Sequence, residues 1–447
     1  MENITPIQLV PSIRKIILFC LVAILLMSGA TTQRIMLNIL LVATLFGPLW
    51  LSPVSLTISL MQFMLSPGLV LVQDPIISGI RIFLLIIVFI RTLIYASRYK
   101  YINVNGKILA FCVVIIFLSI LSSYNSYISI FKIIQFFCAS FAVLNIFLII
   151  RQKQAYWINW YYNFIIFLSL ASLPTLFIPE IGYYRNNIGF QGITNQPQAL
   201  ALFLSPAIAL LLGQILQKKI SLSQLFFTLL VLVELFYTKG RIGIISLSSS
   251  FIILLFISHR HSKNIFVDLI KKPVGYILLT IALFIAAYNQ ESVQQYIFKS
   301  SETSNTSINQ AFFHSRGALL IKQKQNIDEH TLSGIGFGLP SWPEDLQINY
   351  DPVFNLPLSV PVEKGVFFVS IFEEIGIIGS FFFLLLLVAL IKFCTSQSTP
   401  DVTWMVVTAI ATNIGEATLF SFGGMGLYIW LVIGLGLAPN APNPTTQ

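Results

Sequence analysis

The chain has 447 residues, of which 56% are hydrophobic and only 10% charged, whereas about a quarter of a soluble globular domain is charged. That balance excludes a soluble enzyme or binding module and leaves a polytopic membrane protein. The net charge of +9 implies no partner until it is located. Cys20, Cys112, Cys138 and Cys394 fall singly in or at the end of apolar runs, and the histidines at 259, 261, 314 and 330 are scattered. Neither a disulfide framework nor zinc-ligand spacing results.

Apolar runs near the roughly 20 residues that cross a bilayer recur along the chain. The expected spans are 16–30, 35–51, 54–73, 76–95, 107–122, 127–150, 157–178, 197–216, 222–238, 242–258, 273–288, 365–391, 402–420 and 424–438. The second and third are divided only by Ser52-Pro53 and the last is short, so the expected fold is an all-α bundle of about 12–14 transmembrane helices. Arg14 and Lys15 precede the first run as in a signal peptide. No small-residue cleavage site follows, so that run is read as a retained span. Tyr156, Trp157, Trp160, Tyr161 and Tyr162, just past Arg151 and Lys153, read as an aromatic belt at the membrane interface.

The cations sort by loop. Arg14 and Lys15; Arg98, Lys100 and Lys107; Arg151 and Lys153; Lys218 and Lys219; Arg260, Lys263, Lys271 and Lys272; and Lys392 hold 14 of the 26, against Glu2, Asp268 and Asp401 as the acids. Positive loops stay in the cytoplasm. With a cytoplasmic N-terminus, alternation of the spans puts every one of these clusters there, together with the C-terminus. The basic balance is topogenic, and no nucleic acid is implied.

Three regions follow: spans with short loops over 1–288, one large extracytoplasmic loop over 289–363, and the C-terminal spans over 364–447. The loop holds four cations and eight acids. Ser307 or Asn309 opens an expected helix to about Ile327, with Phe312, Leu319 and Leu320 as its apolar side. After it, glycines and five prolines favour a fixed, irregular loop.

The informative cations lie where the topology rule puts few: Arg185 in the 179–196 loop, Lys239 and Arg241 on the turn at 238–241, Arg316 in the large loop, and Lys364 at the opening of a span. Guanidinium groups converging on one face suit a phosphorylated ligand, because the fork binds phosphate oxygens bidentately and keeps its charge. Arg81 and Lys132, inside spans near their outer ends, read as snorkelling or paired with Glu234, Glu374 or Glu416. Glu234, Thr238 and Arg241 are spaced four and three apart, one face of a helix, so Glu234 either orients or neutralises Arg241. Gly334-Ile335-Gly336-Phe337-Gly338 lacks dinucleotide and P-loop spacing and reads as an anion nest or a tight turn. Glu363, His314, His330 and Glu374 are the candidate general bases, with Glu363 favoured where the polar loop meets the membrane. No Asp-rich motif offers oxygen ligands to a metal, and a metal-independent reaction without a cofactor is expected.

Several segments together resemble the bacterial O-antigen ligase and O-antigen polymerase family. These are Tyr237-Thr238-Lys239-Gly240-Arg241-Ile242-Gly243, Arg316-Gly317, Leu332-Ser333-Gly334-Ile335-Gly336-Phe337-Gly338 and Phe372-Glu373-Glu374-Ile375-Gly376-Ile377-Ile378-Gly379, with Gly192 to Gln198 as a weaker match. The resemblance covers roughly Gly189 to Gly379. It implies a fold of the membrane glycosyltransferase C type, in the bacterial inner membrane with the large loop periplasmic. It also implies an undecaprenyl-diphosphate-linked glycan as donor and acceptor, in the company of other polysaccharide-assembly proteins. Ligases of the family carry a His-Asn pair where this chain has Glu363-Lys364-Gly365, which favours the polymerase branch, making O-antigen or exopolysaccharide. Ligation of the glycan to a lipid or protein acceptor, and a transporter or lipid-linked glycan flippase, are the alternatives. A transporter is expected to show repeats and Gly/Pro-broken spans; no repeat is evident here.

Overall fold

The computed structural model describes residues 7–69, 75–96, 102–150, 154–185, 187–217, 221–258, 308–350, 357–359, 364–422 and 424–438. The expected span at 273–288 and the favoured base Glu363 lie outside the described residues, as do the side chains of Phe312, His314 and Arg316.

The described chain is mostly helical. In order come α1 (Ile13–Met27), α2 (Ala30–Phe46), α3 (Leu51–Met64), α4 (Pro75–Ala96), α5 (Ile102–Ser122), α6 (Ser126–Ile149), α7 (Gln154–Ser172), the single turn α8 (Pro179–Gly182), α9 (Pro197–Leu216), α10 (Leu222–Tyr237) and α11 (Arg241–Ser258). Then follow α12 (Ile308–Glu329), α13 (Phe367–Gln397), α14 (Pro400–Ala411) and α15 (Met425–Leu437). Six helical stretches are long and apolar enough to cross a membrane: Ile76–Ala96, Asn105–Ser122, Ser126–Ile149, Gln154–Phe177, Pro197–Leu216 and Phe367–Gln397. Ala30–Phe46, Leu51–Met64, Leu222–Tyr237, Arg241–Leu254 and Met425–Leu437 are apolar but shorter. Ile13, Ile17, Leu21 and Ile24 form an exposed apolar stripe on α1, as a lipid-facing helix requires.

Two expected spans stop early, and the cause is the same. The run 54–73 ends as helix at Met64, because the backbone finds partners in another loop: Ser66 N–H donates to Ile193 O at 2.9 Å and Asn195 N–H to Met64 O at 2.7 Å. The run 402–420 ends at Ala411, where the Asn413 side-chain oxygen accepts from the amides of Thr418 and Leu419 at 2.9 and 2.8 Å. In apolar surroundings every backbone amide needs a partner, and these irregular segments are satisfied by other loops and by side chains. The stretch after α12 is not wholly irregular either, since β1 (Asn349–Tyr350) pairs antiparallel with β2 (Pro357–Ser359).

Of the aromatic group on α7 expected at the interface, only Tyr156 is exposed. Trp157, Trp160, Tyr161 and Tyr162 are buried. Trp157 packs edge-on against Phe147, Trp160 against Phe19, and Tyr161 against Tyr428, whose hydroxyl is 2.9 Å away. Helix α7 runs through the bundle, and these rings are its core.

Helix ends gather at two poles. At one, Phe190 N–H donates to Tyr237 O at 2.9 Å and Ser122 Oγ to Gly334 O at 3.0 Å. Gly424 there faces the Phe63 ring. At the other, Gln154 Nε2 donates to Ser398 Oγ at 2.8 Å, Gln214 Nε2 to Ile7 O at 3.0 Å and Gln224 Nε2 to Leu9 O at 2.7 Å. Among the described residues these contacts sort helix ends into two groups.

Candidate functional site

The candidate site lies at the pole where the loop after α12 returns to the bundle. Helix α13 is broken at Gly376, whose φ is 62° and ψ −174°. The break frees backbone groups, and the stretch Thr331–Gly338 takes them up. Ile335 and Gly336 N–H donate to Glu373 O and Glu374 O at 2.8 and 3.0 Å, and Ile377 N–H donates to Thr331 O at 2.9 Å. Gly334 and Gly376 sit on each other's strands, so that a Cβ on either would strike the other segment's backbone. Gly334, Gly336 and Gly338 all have positive φ (72°, 119° and 69°), a region open to glycine at little cost.

Two carboxylates project from the turn of α13 before the break. Glu373 is fully buried. Its Oε2 lies 2.8 Å from Lys364 Nζ and 3.1 Å from Gln323 Nε2, and its Oε1 accepts from Asn326 Nδ2 at 2.7 Å. Glu374 accepts from Gly338 N–H at 2.6 Å and stands 4.0 Å from Lys364 Nζ. Lys132, from α6, donates to Gly338 O at 2.5 Å. Two cations thus face two carboxylates in a buried, hydrogen-bonded network, the arrangement in which buried charge is tolerated. At its edge Tyr124 donates to Pro340 O at 3.0 Å. Burial first, then the charges of Glu373 and Glu374, push its phenol above the usual range, so it stays a donor.

A cluster of phenylalanines floors this network. Phe337 packs on Phe136 and Phe420 with centroids 5.6 and 4.7 Å away, and Phe420 also meets Phe367 and Phe383 at 5.6 and 4.9 Å. Phe420 belongs to the segment between α14 and α15, and Gly415 of that segment faces the Ile242 side chain. One short segment therefore touches both the glycine loop and the start of α11, where Arg241 stands.

The sequence-derived candidates divide accordingly. Lys364, Glu374, Gly334, Gly336 and Gly338 come together, but Lys364 is engaged by Glu373. The presumed anion nest is filled by the protein itself, because the Gly338 amide holds the Glu374 carboxylate. Arg316 and His314 lie on α12 and His330 just past its end, half-buried. Arg185 is exposed, its backbone N–H on Gln191 Oε1 at 2.9 Å. The loop that carries it packs on the 238–241 turn. Lys239 is exposed with φ 49°, and Arg241 is half-buried.

The reading of Glu234, Thr238 and Arg241 as one helical face is corrected. Helix α10 ends at Tyr237, Lys239 takes a left-handed conformation, and α11 starts at Arg241, so the chain turns between the two residues. Glu234 is buried and neither carboxylate oxygen has a hydrogen-bond partner; it does not orient Arg241 through a hydrogen bond. The apolar side expected for α12 is also revised. Gln323 and Asn326 are its buried side chains, while Leu319 and Leu320 are half-buried, because the surface it meets is the ionic network. Glu373, Gln323 and Asn326 were missing from the candidate set, and Lys132 was read only as snorkelling or paired with an acid. Lys132 and Glu373 carried a signal, as charges in apolar runs; the two amides carried none.

The chain matches none of the family models and none of the curated proteins with which it was compared.

Proposed function

We propose that the protein is a glycosyltransferase of the bacterial inner membrane that polymerises undecaprenyl-diphosphate-linked oligosaccharide repeats on the outer face of that membrane. The termini are cytoplasmic and the loop 289–363 periplasmic. The observation that carries the reading is the meeting, at one pole, of the Arg241 turn, the Arg185 loop and the glycine loop after α12, joined by the segment between α14 and α15. That pole puts cations beside a buried ionic network at the end of apolar helices, which suits a ligand with a charged diphosphate head and a hydrocarbon tail.

In this reading Arg241 and Arg316, with Arg185 and Lys239 at the rim, bind the donor diphosphate. The acceptor sugar hydroxyl oxygen bonds to the donor's anomeric carbon as the bond from that carbon to the diphosphate oxygen breaks. The hydroxyl proton passes to Glu363 or to His314 or His330, and the polyprenyl diphosphate leaves with the electron pair, its growing charge held by the arginines. Lys364, Glu374 and the glycines hold the loop in place, and grooves between helices take the polyprenyl tails.

The test is polymer length in cells carrying Arg241→Ala or Arg316→Ala at matched membrane levels. Loss of long polymer with single repeats accumulating on the outer leaflet is the expected result; normal polymer would remove both arginines from the site. Arg316→Lys keeps the charge but not the fork, and most activity should go with it. One observation favours a second reading, a lipid-linked glycan flippase: the break of α13 at Gly376 beside buried charges is a feature of transporters. Repeats retained on the cytoplasmic leaflet in the same variants would select it.

A further inference from the structure

The buried face of α10 carries Phe227, Val231 and Leu235, and with them Glu234, which is 2% exposed. On that stripe a side chain is expected to be apolar. Neither carboxylate oxygen is held by a cation or an amide, and the polar neighbour of Glu234 is the Ser169 hydroxyl on α7. Helices α7 and α9, which pack against α10, contain no Asp, Glu, Lys or Arg. On the other side of the turn Arg241 has interactions of its own, none of them a hydrogen bond to this carboxylate. Lys239 is exposed and Arg185 is exposed on the adjoining loop. An ionised carboxylate left in such a place costs several kcal/mol, far more than the neutral acid. The buried carboxylates Glu373 and Glu374, by contrast, are each bonded to a cation or an amide.

We propose that Glu234 is a proton-binding site, a carboxylic acid held inside the bundle and open to modification by lipid-soluble carbodiimides. Leu225, Leu229 and Phe236 are exposed on the opposite face of α10, so the helix lies at the perimeter, where a reagent dissolved in the bilayer arrives. The acid's O–H adds across one C=N bond: its oxygen bonds to the carbodiimide carbon and its proton goes to nitrogen. The acyl group then migrates to nitrogen to give a stable N-acylurea, with no leaving group and no oxidant.

The experiment treats the full-length protein in its membrane with dicyclohexylcarbodiimide at neutral pH and maps the adduct by peptide mass spectrometry. The adduct is expected on Glu234 and not on Glu373, and Glu234→Gln should abolish it. Because glutamine imitates the neutral acid, that variant should also melt where the wild type does. Absence of an adduct on Glu234 would overturn the proposal. Modification by a water-soluble carbodiimide with an added amine would overturn it too, since it marks an open, ionised carboxylate. Protection by sodium ions would replace the proton with a metal cation as the occupant. Each readout is independent of polymer formation, so it stands or falls apart from the proposed glycosyl transfer.

Discussion

The two poles of the bundle are both tied together by buried polar groups, yet by different chemistry. At the far pole side-chain amides do the tying, with one buried carboxylate, Asp401, among their acceptors. Gln214 reaches Ile7 O and Asp401, Gln224 reaches Leu9 O, and Asn163 Oδ1 takes the Ser12 amide at 2.5 Å. At the loop pole full charges are buried and the backbone is bent into glycine-only conformations. Neutral amide bonds between buried groups in a membrane are each worth about 0.6 kcal/mol on average and are replaceable one at a time. A buried ion pair is different, because removing one partner strands the other. The loop pole is thus an all-or-none assembly, which is the property wanted where a loop must be held in one geometry.

The sharpest way to break that contrast is Glu373→Ala. It leaves Lys364 buried without its carboxylate and takes acceptors from Gln323 and Asn326, so a loss of about 3–5 kcal/mol is expected, read as thermal unfolding in detergent. A drop of only a few tenths would mean the network is not cooperative. Gly334→Ala comes next. The left-handed φ alone costs about 1–3 kcal/mol, and the methyl meets the Glu374 backbone; faster proteolysis of the loop after α12 is the measurement. Lys132→Met removes the charged hydrogen bond to Gly338 O, about 1.5–3 kcal/mol, and should loosen the glycine loop while α6 stays folded, as hydrogen exchange would report. Gln214→Leu at the far pole is the smallest, with Asp401 still held by Gln217. A loss near 1 kcal/mol, visible as a small shift in melting temperature, would keep the contrast; a loss equal to that of Glu373→Ala would erase it.

Much of the architecture could be read before any coordinates. Pro197–Leu216 was placed to the residue, and the ends of α6, α10 and α11 to within about one, because a bilayer imposes one length and one polarity on everything that crosses it. The loop helix was placed to within about two residues at each end. Helices α1 and α2 lie three and five residues earlier than the expected spans. The stop of α3 at Met64 and of α14 at Ala411 depend on loops and on Asn413, and no local pattern records a partner that distant.

The candidate site divides along the same line. Its glycines were legible, since a need for positive φ leaves a mark in one dimension. Hydropathy alone determined that this is a mostly helical chain with helices apolar enough to cross a membrane. Tertiary structure decided that Glu373, not the loop, holds Lys364, that the Gly338 amide takes the Glu374 carboxylate, and that Glu234 and Arg241 lie on different helices across a turn. The reason is physical. Crossing a membrane is a constraint on each segment by itself, whereas the pairing of buried charges is a property of which segments meet.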